Sequence, residues 1–124
     1  MSLDINKVII KTSLTSCFGS HFKEVEGANA FIDELAKDAE EVSFAQGEYV
    51  FREKDAPEYV YIPESGSLML ERSTASGSRQ VFAFLFTGNL AGLSENVSYS
   101  FSAKALTNCV VIRISRQLMQ DIFD

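Results

Sequence analysis

The sequence predicts a mainly β domain, an antiparallel sandwich or barrel with short α-helices at its two ends. Three observations predict it. From Val42 onward the apolar residues recur at every second position in short runs rich in Val, Phe, Tyr and Ile. Gly, Pro, Ser and Asp separate these runs at nearly regular intervals, the signature of many short strands joined by turns. Helix-period stripes occur only before Val42 and after Ile114.

Each element has its own justification. Asp4 caps a short helix that carries Ile5, Val8 and Ile9 on one side. Residues 12–27, rich in Ser, Thr and Gly, read as a connector. A second helix runs from Asn29 to Ala39, with Phe31, Ile32 and Leu35 on its apolar face and Asp33 and Lys37 paired at i,i+4. The expected strands are Val42–Phe44, Tyr49–Arg52, Tyr59–Ile62, Ser67–Arg72, Gln80–Phe86, Ser100–Leu106 and Cys109–Ile114. Residues 74–78, Thr-Ala-Ser-Gly-Ser, form a hairpin loop in which Gly77 supplies positive φ. Val81–Phe86 is apolar on both faces, which predicts a strand buried on both sides or one that lines a pocket or interface. Pro63 has no N–H for a ladder and marks a sheet edge or strand end. Ser115 is an N-cap for a last helix bearing Leu118, Met119, Ile122 and Phe123.

Composition narrows the function. The chain has 124 residues, enough for one domain with a real core. Lys and Arg total 11 against 17 Asp and Glu, a net charge of −6. Twelve acidic and three basic residues fall between Glu24 and Glu64. A chain so acidic has no basic patch, so it is not expected to bind nucleic acid by itself. No apolar run reaches the ~18 residues of a membrane-spanning helix, and no secretory signal is visible. Cys17 and Cys109 lie in no ligand spacing, and Cys109 sits in an apolar run as a buried thiol. His21, the one histidine, has no Cys or His nearby to make a metal site with.

The glycine spacing carries a resemblance. Residues 47–55, Gly-Glu-Tyr-Val-Phe-Arg-Glu-Lys-Asp, followed by Tyr61-Ile62 and Gly66, resemble the first half of the cyclic-nucleotide-binding fold, the sensor domain of the Crp/Fnr family of bacterial transcription regulators. Lys54 departs from the pattern, standing where a second Gly is common. Gly88-Asn89-Leu90-Ala91-Gly92, then Ser102-Ala103 and a last apolar strand, resemble the second half. The resemblance spans 28–124 and implies an eight-stranded antiparallel double-stranded β-helix (jelly roll) with short flanking helices. Residues 1–27 then form an N-terminal helix and connector. Only the start of the family's C-terminal helix is present, without a DNA-binding domain.

In that family a buried cyclic phosphate is held by a helix N-terminus and one Arg, and a Glu after the second Gly binds the ribose. Here Leu93 stands where the Glu would be and Phe101 where the Arg would be. The candidate ligand residues are thus Gly88, Asn89, Leu90, Ala91, Gly92, Leu93, Ser94, Phe101, Ser102 and Ala103, a divergent phosphate cassette. A buried anion without its charged partner loses about 2–4 kcal/mol. The expectation is a cytoplasmic regulatory sensor domain that does not answer to cyclic nucleotides by the standard site. The rivals are a true cyclic-AMP or cyclic-GMP domain with an altered cassette, and a ligand-free protein-interaction domain. Its implied partners are a small-molecule effector and a second copy in a weak homodimer through Leu118, Met119, Ile122 and Phe123.

No cofactor, metal or catalytic residue is expected. An iron–sulfur cluster, which a related oxygen-sensing branch holds, needs about four thiolates. Haem lacks an axial His within the sandwich. A cupin-type metal enzyme needs two or three His on facing strands.

Overall fold

The computed structural model describes residues 9–10, 28–92 and 98–123. The expected cap at Asp4, the connector, Cys17, His21, Leu93 and Ser94 lie outside these. Helix α1 (Ala28–Asp38) leads into strands β1 (Glu40–Phe44), β2 (Tyr49–Phe51), β3 (Tyr59–Ser65), β4 (Leu68–Ser73), β5 (Arg79–Leu85), β6 (Ser102–Ala105) and β7 (Cys109–Ser115), and helix α2 (Arg116–Phe123) follows. The strands form a three-stranded sheet ordered β1-β7-β3 and a four-stranded sheet ordered β2-β6-β4-β5, with every pairing antiparallel.

Alternation along the strands builds two cores. In the three-stranded sheet, Val60, Ile62, Ile112 and Ile114 face the helices and pack with Ile9, Ile10, Ile32, Leu35 and Met119. Tyr61, Cys109 and Val111 face the other way, into the space between the sheets, and meet Val50, Phe51, Leu68, Leu70, Ala103 and Ala105. One period-two sequence therefore serves two layers. The Ser115 hydroxyl accepts the Leu118 N–H at 3.3 Å, so the expected N-cap of α2 is present.

Of the eight strands expected, seven lie within the described residues. Outside these strands, Ala91 makes a single antiparallel bridge with Tyr61, through two backbone hydrogen bonds of 2.8 Å. Gly88 and Gly92 both have positive φ and turn the chain on either side of it. Of the two readings of the doubly apolar run, burial on both faces is corrected. β5 is an edge strand, and Val81, Phe82, Phe84 and Phe86 are 43%, 43%, 50% and 59% exposed. Pro63 fits the reading made of it: it lies on edge strand β3, beside an irregularity between Pro63 and Ser65.

The backbone shows why glycine is common at the position of Lys54. This residue has φ +77, the left-handed region that glycine occupies freely and other residues enter at a cost of about 1–2 kcal/mol. Gly66 shares that region at φ +79, and a Cβ there would stand 2.4 Å from the Asn108 carbonyl oxygen and 2.6 Å from Cys109 Cβ. We expect Lys54→Gly to be neutral or to stabilise the fold by up to about 1 kcal/mol. Gly66→Ala should destabilise it by about 2 kcal/mol or more, since strain and clash add. Urea unfolding of the two variants beside the wild type checks both signs.

Candidate functional site

Small residues leave room between the sheets. Ala91, Gly92, Ala103 and Ala105 are buried there, and aromatic rings fill the space they leave. The Phe51 ring stacks on Tyr99 at a centroid distance of 4.1 Å and on Tyr61 at 5.5 Å. Phe101 meets Phe51 at 5.7 Å and, edge-on, Phe82 at 5.4 Å. Tyr59 continues the series at 6.1 Å from Tyr61. Arg72 lies over the Phe82 ring and Arg113 over the Tyr59 ring, a cation at each end.

Tyr99 is fixed at the centre. Its N–H donates to the Asp55 carbonyl and its own carbonyl accepts the Lys54 N–H, both at 2.9 Å. Its hydroxyl donates to the Tyr59 carbonyl at 2.6 Å. A Cβ on Gly92 would lie 2.9 Å from that carbonyl oxygen and 3.4 Å from the Tyr99 ring, so glycine lets the turn approach the aromatic cluster. Burial pushes the Tyr99 phenol up to about 12 and raises Tyr61, for which Arg113 acts in the opposite direction. Both are neutral hydroxyls near pH 7.

A cavity of about 320 Å³ opens beside this cluster, lined by Val50, Phe51, Asp55, Ala56, Glu58, Tyr59, Tyr61 and Tyr99. Its charged lining is two carboxylates, with no Lys or Arg. A second hollow of about 420 Å³, lined by Ala56, Pro57, Glu58, Arg116 and Gln117, adjoins it at the start of α2.

Of the described cassette residues, the structure places Ala91, Phe101 and Ala103 at the intersheet core, and Gly88, Asn89 and Leu90 elsewhere. Gly88 donates to the Pro63 carbonyl, and the Asn89 side chain accepts the Phe86 N–H. Leu90 packs toward the helix-side core, Ala91 is the bridge residue, and Ala103 is fully buried at the sheet centre. The Ser102 hydroxyl accepts the Glu53 N–H at 2.8 Å. Phe101 belongs to the aromatic series. Leu118 and Met119, expected at an interface, pack within the chain on the helix-side core.

Sequence reasoning missed Tyr99, Phe51, Tyr59 and Tyr61 as a group. The alternation Tyr59-Val60-Tyr61-Ile62 does put both tyrosines on one face. Tyr99 lies outside any strand, so no periodicity marks it.

The outer face of the four-stranded sheet carries a separate polar network. Glu71, 5% exposed, accepts the Tyr49 hydroxyl at 2.6 Å and Arg79 at 2.7 Å, and Arg79 also donates to the Tyr49 oxygen. The Tyr49 hydrogen bond, with help from Arg79, holds the Glu71 carboxyl below the usual range.

The seven described strands form two antiparallel sheets, with a glycine turn leading towards the sixth strand and aromatic rings between the sheets. The cyclic nucleotide-binding domain family matches residues 41–124, and the chain belongs to that family. It is 30% identical over 94 residues to the nitrogen fixation regulation protein FixK of Azorhizobium caulinodans, covering 70% of this chain and 38% of FixK. It is 31% identical over 99 residues to the neuropathy target esterase sws of Drosophila willistoni, covering 72% of this chain and 7% of that protein. The structure of FixK2 from Bradyrhizobium japonicum superposes with a TM-score of 0.65 at 27% identity, covering 68% of this chain and 43% of FixK2. The chain thus spans less than half of each. Its likeness to FixK and FixK2 places it with the Crp/Fnr-like sensor domains. No described helix is long and apolar enough to cross a membrane.

The Glu71 network makes a pH prediction. A carboxyl whose folded pKa is lowered adds stability above its unfolded value, and that stability is lost as pH falls through the folded value. Stability should therefore drop as pH falls below the ordinary glutamate value of 4.5. Glu71→Gln should lower stability near neutral pH and flatten this acid limb. Arg79 is half in water, which keeps its share small. Thermal unfolding midpoints of both proteins from pH 7 down to 3.5 read the difference directly.

Proposed function

We propose that this chain is the regulatory sensor domain of a Crp/Fnr-type signalling or transcription-regulatory protein, acting in the cytoplasm without catalysis, and that it does not take cyclic nucleotides by the standard site. The observation that carries this reading is Tyr99. Its ring lies against Gly92 and is stacked on Phe51, so an aromatic group fills interior space beside the glycine turn. The cavity next to it is lined by Asp55 and Glu58. A cyclic phosphate entering there meets like charge and no lining cation, and a desolvated anion without a partner is costly. Phe101, in the place of the phosphate-gripping Arg, is part of the aromatic series and carries no charge to offer a phosphate. Isothermal titration of the full chain with cyclic AMP and with cyclic GMP is expected to give no sub-micromolar binding. Sub-micromolar binding of either would overturn the reading.

The same reading includes weak self-association, expected through Leu118, Met119, Ile122 and Phe123. Met119 is buried within its own chain and the side chains of residues 122 and 123 lie outside those described, so we add as pairing surface the exposed Val81, Phe82 and Phe84 of edge strand β5 and Phe86 just after it. An apolar patch of this kind on a sheet edge is a surface that proteins normally cover. Sedimentation velocity over a rising concentration series should show a monomer–dimer equilibrium that Phe84→Glu weakens by at least about tenfold. A wild type that stays monomeric throughout, or a dimer indifferent to the substitution, would end the proposal.

A further inference from the structure

We propose that the cavity beside Tyr99 binds a small organic cation, an amine or quaternary ammonium compound. This deepens the reading above and rests on it, because it assigns the sensor a ligand of opposite charge to a cyclic phosphate.

Four aromatic rings, Phe51, Tyr59, Tyr61 and Tyr99, contribute to the wall, and the two charged groups in it are the carboxylates of Asp55 and Glu58. Aromatic faces attract cations through their quadrupole, and the attraction grows as water is excluded. Adding carboxylates to an aromatic wall supplies the net charge that rings lack. The volume, about 320 Å³, lies at the lower end of the ~300–1,000 Å³ of small-molecule sites. The rings are held in place rather than free to collapse, since the Tyr99 hydroxyl is tied to the Tyr59 carbonyl and Phe51 is stacked between Tyr99 and Tyr61.

The neighbouring cations do not fill this role. Arg113 lies over the Tyr59 ring at 4.5 Å and is ion-paired with Glu40 at 2.9 Å. Arg116 reaches the Pro57 carbonyl at 3.5 Å and lines the adjoining hollow. Arg113 acts on the Tyr61 phenol and Arg116 on the Tyr99 phenol, but neither guanidinium lines the cavity, whose own charged lining is Asp55 and Glu58. The Asp55 carboxylate is held by one long hydrogen bond, 3.3 Å from the Arg52 N–H, and has acceptor capacity left for a ligand.

The test is an amide-resolved NMR titration of the full chain with choline, at constant ionic strength. The matched control is 3,3-dimethylbutanol, its uncharged isostere. Choline is expected to give saturable shifts at Val50–Tyr61 and Tyr99, with the isostere at least about tenfold weaker. Asp55→Asn/Glu58→Gln should weaken choline by about tenfold while leaving the remainder of the spectrum folded. Equal binding of the isostere, or unchanged affinity in the double variant, would overturn the cation proposal. A parallel cyclic AMP titration separates the two claims. If neither ligand binds, the cation proposal fails and the reading of the domain stands. If cyclic AMP binds tightly at these amides, that reading fails whatever choline does.

Discussion

Strand β7 separates two cores, and the other layers are arranged around that fact. It is the central strand of its sheet, paired with β1 along five residue positions and with β3 from Tyr59 to Ser65. Ile112 and Ile114 point to the helices while Cys109 and Val111 point between the sheets, and all four are buried. A one-residue slip in register would exchange these faces and put both sets in the wrong layer. β3 obeys the same rule, since Val60 and Ile62 go one way and Tyr61 the other. The aromatic cluster and the cavity exist because this alternation delivers tyrosines, and not aliphatic side chains, to the intersheet side.

The interior is then settled by size. Alanines at 91, 103 and 105 and glycine at 92 line the space opposite the rings. Large side chains there would have closed it. Instead Phe51 occupies the middle, in ring contact with Tyr61, Tyr99 and Phe101, each contact contributing about 0.5–1.5 kcal/mol beyond area burial. The series runs from Phe82 on the exposed edge strand to Tyr59 at the cavity. Phe101 is the link between the two ends, touching Phe51 on one side and Phe82 on the other.

Much of this was legible in the sequence, and the misses have physical reasons. The strand from Cys109 and the helix near Asn29 were placed to within a residue or two because their periods are clean. β1 begins at Glu40, earlier than expected, since two exposed glutamates hide the strand from an apolar pattern. β6 is shorter than Ser100–Leu106 because pairing with β2 and β4 lasts only from Ser102 to Ala105. The exposure of Val81–Phe86 was not legible: alternation says which residues share a face, but only the strand order says whether anything covers it. For the candidate site, the resemblance found the glycine turn, yet the residue that fills the interior, Tyr99, stands in an irregular segment where spacing carries no signal.

Charge explains why one end of β5 is anchored and the other is not. Glu71 is buried on the sheet's outer face and needs compensation, which Tyr49 and Arg79 supply. Arg52, Arg79 and Lys104 all lie over the Tyr49 ring, at 4.2, 5.4 and 5.4 Å. In a chain of net charge −6 this gathers cations around one carboxylate and one ring. Arg79 is the first residue of β5, so the network pins that end of the edge strand to β4. Its other end has no charged tie among the described residues: the Phe86 N–H donates to the Asn89 side chain, and Phe84 and Phe86 are the two most exposed large apolar side chains. The edge strand thus carries its charge compensation at one end and its exposed aromatic surface at the other.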